Sequence, residues 1–286
     1  MRTRFAPSPT GPLHLGHAYS ALTAAHLAHS ANGTFLLRIE DIDTARARPE
    51  WEDLIYDDLD WLGLDWPKPV HRQSQHLGIY TQALDKLAAL GVLYPCSCNR
   101  TDIRTAATAP QEGAPQYGPD GVIYPGTCRH RPMADQRPGD ALRLNMTKAL
   151  DVVDPRNLRW LETGPHMPGP HWASADHMRF FIGDVVLARR ITGEPAYHLA
   201  VTVDDAAQGI TLVCRGQDLA NATPIHVLLQ NLLHLPTPAY HHHRLIRDAQ
   251  GKRLAKRDKA RALQTYRAAG HSADNIRRMI GFKGLS

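Results

Sequence analysis

Residues Arg4-Phe5-Ala6-Pro7-Ser8-Pro9-Thr10-Gly11-Pro12-Leu13-His14-Leu15-Gly16-His17 set a short apolar strand start, a Pro/Gly turn and two histidines ahead of a helical stretch, 18–31, rich in Ala and Leu. Strand, tight turn and helix in that order confine the chain to folds in which a ligand can sit at a helix N-terminus. Backbone N–H groups there lack intrahelical partners, and the helix dipole favours phosphate. Gly11 and Gly16 let a ligand approach the backbone closely. His14 and His17, three residues apart, share a face of a helical turn and can reach one phosphate chain together. The turn is suited to a nucleotide.

The downstream pattern extends this reading. Residues 35–39 read as a second strand that ends in the acidic cluster Glu40, Asp41 and Asp43. Trp51, Leu54, Ile55, Leu59 and Leu62 recur at helical spacing, as do Leu77, Tyr80, Leu84, Leu87 and Leu90, with Gly91 as a stop. Such alternation predicts an α/β parallel sheet. Beyond Tyr94 the character changes: 105–126 is rich in Ala, Pro, Gly and Gln and reads partly as loop, while 141–146 and 184–190 read as strands. Around Tyr197 the α/β pattern resumes with a strand over 210–214 and a helix over 224–233. The expected organisation is a doubly wound, Rossmann-type catalytic domain in two halves, 1–94 and 193–235. An α+β domain over 95–192 interrupts it, and a basic loop with a short helical tail fills 236–286.

The chain has 286 residues, enough for a large core, and no low-complexity tract. A net charge of +5 suits a polyanionic partner such as RNA, without requiring one. No apolar run approaches the length of a membrane span, and the N-terminus enters a strand directly, so a cytoplasmic protein without signal peptide or membrane partner is expected. Of the four cysteines, Cys214 sits in an apolar run and reads as a buried strand residue. Cys96, Cys98 and Cys128, with Tyr124, form a C-x-C…Y-x₃-C set that suits one tetrahedral structural zinc; buried free thiols are the competing reading. His241-His242-His243 lacks a nearby acidic or cysteine partner in sequence and reads as loop histidines.

The segment from Arg4 to His17 resembles the HIGH-type signature of class I aminoacyl-tRNA synthetases, in the form of the glutamyl/glutaminyl branch. Gly251-Lys252-Arg253-Leu254-Ala255-Lys256-Arg257-Asp258 is similar to that family's KMSKS loop, with Arg253 in place of the first lysine and Ala255 in place of the serine. The segments Gly193–Ala200, Val203-Asp204-Asp205 and Cys214-Arg215-Gly216-Gln217-Asp218 follow the same family in order. The resemblance implies attack of an amino-acid carboxylate on the α-phosphate of ATP, expulsion of pyrophosphate and formation of an aminoacyl adenylate. His14, His17 and Lys256 would be the catalytic donors and cations. Gly16 would join them around ATP, which is accompanied by Mg²⁺. Arg4 and Arg215 would take the side-chain carboxylate of L-glutamate, arginine being the bidentate partner of carboxylates. Ala6, Ser8, Glu40 and Tyr197 would form the α-amino end and the pocket wall, with Glu40 pairing the ammonium.

Only 29 residues follow Arg257, whereas conventional glutamyl enzymes continue into an anticodon-binding domain. This architecture is similar to the queuosine-directed branch of the family, which activates glutamate without tRNA and transfers it to the queuosine base of tRNA(Asp). The C-x-C…Y-x₃-C set fits that branch too. A monomer acting on ATP, L-glutamate and queuosine-bearing tRNA(Asp) is the resulting expectation. A truncated synthetase charging the tRNA 3′ end and a non-catalytic RNA- or nucleotide-binding protein are the alternatives.

Overall fold

A computed structural model describes residues 1–107, 117–247 and 261–284. The N-terminal part runs β1 (Arg2–Phe5), α1 (Leu15–Ser30), β2 (Thr34–Ile39), α2 (Pro49–Trp61), β3 (His71–Arg72), α3 (Leu77–Ala89) and β4 (Leu93–Cys96). Next come α4 (Arg100–Ala107), a small hairpin of β5 (Tyr117–Gly118) and β6 (Gly121–Val122), β7 (Ala141–Leu144) and α5 (Met146–Val152). They are followed by β8 (Arg159–Glu162), β9 (Gly169–Trp172), α6 (Ala175–His177) and β10 (Val186–Ala188). The chain then forms α7 (Tyr197–Ala207), β11 (Leu212–Gly216), α8 (Thr223–Leu232), β12 (Ala239–His243), α9 (Leu263–Ala268) and α10 (Ala273–Met279).

β1, β2 and β3 pair in parallel. β11, β12 and β8 also pair in parallel, with β9 antiparallel at the outer edge. The two sets meet between β1 and β11, where the Thr211 N–H donates to the Arg2 carbonyl at 3.0 Å and the Arg2 N–H to Thr211 Oγ1 at 2.8 Å. The spatial order is therefore 3-2-1-11-12-8-9. It reverses direction at β1/β11, the switch point where open α/β sheets leave a crevice beyond the strand C-termini. Five buried alanines on α1 (18, 21, 24, 25 and 28) allow that helix to lie close against β1 and β2.

β4, β7 and β10 form a separate antiparallel sheet. Leu142, Leu144 and Met146 share one apolar core with Leu199, Ile225 and Leu229 of the second α/β half. Two strands within 95–192, β8 and β9, lie on the main sheet.

Several boundaries differ from the sequence reading for identifiable reasons. The strand expected over 210–214 begins at Leu212 because the Ile210 N–H caps α7, donating to the Asp205 carbonyl at 2.8 Å beside Gly209 at φ +61°. The strand over 141–146 stops at Leu144 because Asn145 caps α5, accepting from the Lys148 N–H at 3.1 Å. His241, His242 and His243 are strand residues of β12, and the loop reading is corrected by their pairing with β11. Part of 105–126 is ordered as α4 and the β5–β6 hairpin.

Candidate active site

A cavity of about 420 Å³ opens at the switch point. Arg4, Ala6, Ser8, His14, Gly16, His17, Glu40, Tyr197 and Arg215 all line it, so residues from four distant stretches converge on one volume. Lys256 and its neighbours Arg253 and Ala255 lie outside the described residues.

The first turn of α1 differs from the expected open N-terminus. His14 is the N-cap: its Nδ1 accepts the Gly16 N–H at 3.1 Å, and His17 Nδ1 accepts the His14 N–H at 3.2 Å. The His14 carbonyl accepts from the His17 and Ala18 N–H groups. This reciprocal cap consumes backbone donors that a phosphate would otherwise use. The two imidazoles stack at 3.8 Å between centroids. With both Nδ1 atoms accepting, each neutral ring carries its proton on Nε2. What the helix presents is a pair of side-chain donors in place of bare amides. Gly16 is required here, because a Cβ would stand 2.9 Å from His14 Cε1.

Beneath the cavity lies a buried ionic network. Arg4 donates to Asp205 through Nε at 2.8 Å and Nη2 at 3.1 Å. Arg38 joins Asp205 at 2.7 Å and Glu40 at 3.2 Å. Asp204 accepts from Gln73 and Tyr80, each at 2.7 Å. Burial raises the Glu40 carboxyl above its ordinary value, opposed by the charges of Arg38 and Arg4. An ammonium entering the cavity beside Glu40 would favour its ionised form.

Arg215 is held differently. It is 5% exposed, and its hydrogen-bond partners among the described residues are neutral groups: Thr223 Oγ1 at 2.8 Å, His226 Nδ1 at 2.9 Å and His242 Nε2 at 3.1 Å. Among the described residues no carboxylate lies within 4.0 Å of it. A buried guanidinium without an anion is costly unless one arrives with the ligand. Arg4, by contrast, already has its charge matched by Asp205.

A second constellation sits where β4 ends. The sulfurs of Cys96, Cys98 and Cys128 lie within 4.8 Å of one another. Tyr124 Oη is 3.4 Å from Cys96 Sγ and 3.5 Å from Cys98 Sγ, and Cys98 Sγ is 3.6 Å from Cys128 Sγ. A tetrahedron with metal–sulfur bonds of about 2.3 Å and a metal–oxygen bond of about 2.0 Å has edges of roughly 3.5 Å (O–S) and 3.8 Å (S–S). The three separations just given are close to those edges. Burial lifts the Cys98 thiol to about 11; Cys128 is also penalised by burial, but bonds from Tyr124 and Ser97 hold it near 6.

The family model for the catalytic domain of class I tRNA synthetases (E and Q) matches residues 1–136 and 176–286. The chain belongs to this synthetase family. A curated relative from Rhodobacter capsulatus, named glutamyl-Q tRNA(Asp) synthetase, is 57% identical over 98% of this chain and 100% of its own length. One of the same name from Nitratidesulfovibrio vulgaris is 41% identical over 96% of this chain and 84% of its own. Among solved structures, a glutamate tRNA ligase from Elizabethkingia meningosepticum, in complex with its amino acid, superposes with a TM-score of 0.68 at 27% identity. It covers 90% of this chain, which spans 52% of that ligase. The synthetase fold is Rossmann-like, as the sheet order indicates.

Four residues around the synthetase cavity had no role in the sequence reading: Asp205, His226, His242 and Glu162. Asp205 stood in a quoted segment, yet nothing in its spacing shows that it faces Arg4 and Arg38. His242 donates through Nδ1 to Glu162 Oε2 at 2.5 Å, although 80 residues separate them in sequence. The acidic partner judged missing from the histidine run therefore arrives from β8. Among the described residues, no helix of this synthetase is long and apolar enough to cross a membrane.

Proposed function

We propose that this chain activates L-glutamate with ATP, without tRNA, and transfers it to the queuosine base in the anticodon loop of tRNA(Asp). The observation that carries the glutamate reading is Arg215, a buried cation that lines the cavity and lacks an anionic partner among the described residues. A dicarboxylic amino acid supplies the missing charge; glutamine would leave the guanidinium uncompensated. Arg4 supports the same end of the substrate, while Glu40 receives the α-ammonium and Ala6, Ser8 and Tyr197 shape the wall. The names carried by the relatives support the acceptor.

In the activation step the glutamate α-carboxylate oxygen attacks the α-phosphorus and pyrophosphate leaves. Charge grows on the phosphoryl oxygens, so aimed donors accelerate the reaction without any protein nucleophile. The Nε2–H groups of His14 and His17 fill that role, joined by Lys256, and Gly16 keeps the histidine cap closed. Mg²⁺ accompanies ATP and offsets phosphate charge. In the second step an acceptor hydroxyl attacks the glutamyl carbonyl and AMP leaves. Cys96, Cys98, Tyr124 and Cys128 would hold one structural Zn²⁺, tying β4 to the irregular stretch after the β5–β6 hairpin. Its donor set is closed, which suits a structural site.

The test is glutamate-dependent ATP–pyrophosphate exchange in the absence of tRNA, with glutamine and aspartate as controls, followed by transfer to tRNA(Asp) with and without queuosine. The expected product retains its glutamate on tRNA trimmed of the 3′-terminal adenosine. Exchange only after tRNA is added, with label lost on trimming, would identify a 3′-end charging enzyme instead. No exchange in either case would leave a binding protein.

A further inference from the structure

Arginine carries only donors, so each atom that holds Arg215 must offer a lone pair. A neutral imidazole offers one nitrogen lone pair, and its other nitrogen bears the proton. His242 faces Arg215 Nε with Nε2 and therefore carries its proton on Nδ1, which meets Glu162 Oε2. Thr223 Oγ1 lies 3.3 Å from the same Nε2 and can donate to it as well. His226 faces Arg215 with Nδ1 and therefore carries its proton on Nε2, which meets His198 Nδ1 at 3.0 Å. His198 accepts on Nδ1, so its proton sits on Nε2, 2.9 Å from Asp120 Oδ1 and 3.0 Å from Oδ2. Two hydrogen-bonded chains thus start at the guanidinium, run through buried imidazoles and end on carboxylates. Each donor-to-acceptor arrow points away from Arg215.

Building on the glutamate reading above, we propose that Glu162 and Asp120 are positioning residues for substrate recognition. By fixing the tautomers of His242 and, through His198, of His226, they keep two lone pairs trained on Arg215. The guanidinium is thereby held rigid while its full charge remains available to the substrate side chain. A carboxylate placed directly on Arg215 would hold it equally well but would compete with glutamate. Interposing neutral rings separates the tasks of orienting and of neutralising.

Two further observations support this arrangement. Glu162 Oε1 accepts the His242 N–H at 3.0 Å and the Gly164 N–H at 2.7 Å, which locks the carboxylate plane. A Cβ on Gly164 would stand 2.6 Å from that oxygen and 2.5 Å from the His242 carbonyl, so the turn is built around the contact. Burial and the Arg215 charge hold His226 neutral, and burial holds His242 below the ordinary imidazole range despite Glu162.

Glu162→Gln separates this role from simple packing. The two backbone N–H groups demand the amide oxygen at the Oε1 position, which turns the NH₂ toward His242 Nδ1. His242 must then protonate on Nε2, setting two donors face to face at Arg215. In the exchange assay the glutamate KM should rise roughly tenfold or more, with kcat and the ATP KM changed less than about threefold. Asp120→Ala, at a half-exposed carboxylate, should raise the glutamate KM by roughly threefold through the longer chain.

Long-range ¹⁵N–¹H spectra of the histidine-labelled wild-type protein need no variant. They should show Nδ1–H at His242 and Nε2–H at His226 and His198. An unchanged glutamate KM in both variants, or the opposite tautomers in the wild type, would overturn the proposal. Absence of glutamate-dependent exchange in the wild type would instead count against the functional reading, with the tautomers still readable.

Discussion

Asp58 on α2 is the clearest case of a charge that the fold tolerates at a cost. It is fully buried, and neither carboxylate oxygen has a hydrogen-bond partner among the described residues. The nearest cation, Arg267 of α9, stands 4.0 Å from Oδ1. Burial raises the carboxyl to about 6, with Arg267 opposing and Asp57 adding to the shift, against 3.8 for the free side chain. The unfolded chain therefore releases this proton first, and the folded state loses stability as pH rises from about 4 through 6. At 1.36 kcal/mol per pH unit, a shift of this size amounts to about 3 kcal/mol at pH 8, of which roughly 2.5 kcal/mol develops above pH 4. Asp58→Asn keeps the shape and removes the titration. Any penalty for burying the amide is the same at every pH and drops out of the comparison. Urea unfolding of both proteins from about pH 4 to 8, analysed by linear extrapolation, should show the variant gaining roughly 2.5 kcal/mol on the wild type across that range. A difference that stays constant within about 0.5 kcal/mol would refute the reasoning, because the carboxylate would then be ionising as freely as in water.

Arg215→Met should lower kcat/KM for glutamate by ~10²–10⁴, the loss of two charge-assisted bonds of about 1.5–3 kcal/mol each, with the ATP KM unchanged in the exchange assay. A fall of less than about threefold would remove Arg215 from substrate recognition. Gly16→Ala should dislodge the His14 ring; unfolding should report about 1 kcal/mol lost with the cap, and exchange should slow ~10²-fold as the donors lose their aim. Metal analysis should find one zinc per chain, absent in Cys98→Ser, with the melting temperature lowered by roughly 5–10 °C and exchange largely kept. A metal-free wild type with the same melting temperature would return the cluster to three free thiols, Cys96 and Cys128 buried and Cys98 half-buried.

Local chemistry made the N-terminal half legible. Leu54, Ile55 and Leu59 mark one face of α2, with Leu62 at its C-cap, and Arg4 to His17 spell out strand, turn and helix within fourteen residues. The convergence of Arg4, Glu40, Tyr197 and Arg215 was accessible only because their flanking motifs followed a known order. What supports them was not legible. Glu162 reaches His242 only because β8 lies beside β12 in a register that sets Glu162 against Tyr240, and no local pattern encodes that pairing. The histidine run looked like loop because three identical polar residues hide the alternation of a strand. The cap at His14 was missed for a related reason: imidazole is an unusual N-cap, and the sequence signal is weaker than that of Ser, Thr, Asp or Asn.

The backbone bridge between His14 and Ala262, reinforced by the Leu263 N–H donating to the Leu13 carbonyl at 2.9 Å, pins the chain beside the histidine pair just past the basic segment. Ile246, shortly before that segment, lines the cavity as well. Five residues lie between Lys256 and Ala262, so chain length alone keeps the lysine Cα within about 22 Å of the anchor. Under the function proposed above, the chain length that ties Lys256 to this anchor is unaltered by Arg253 and Ala255 standing in place of the family's lysine and serine.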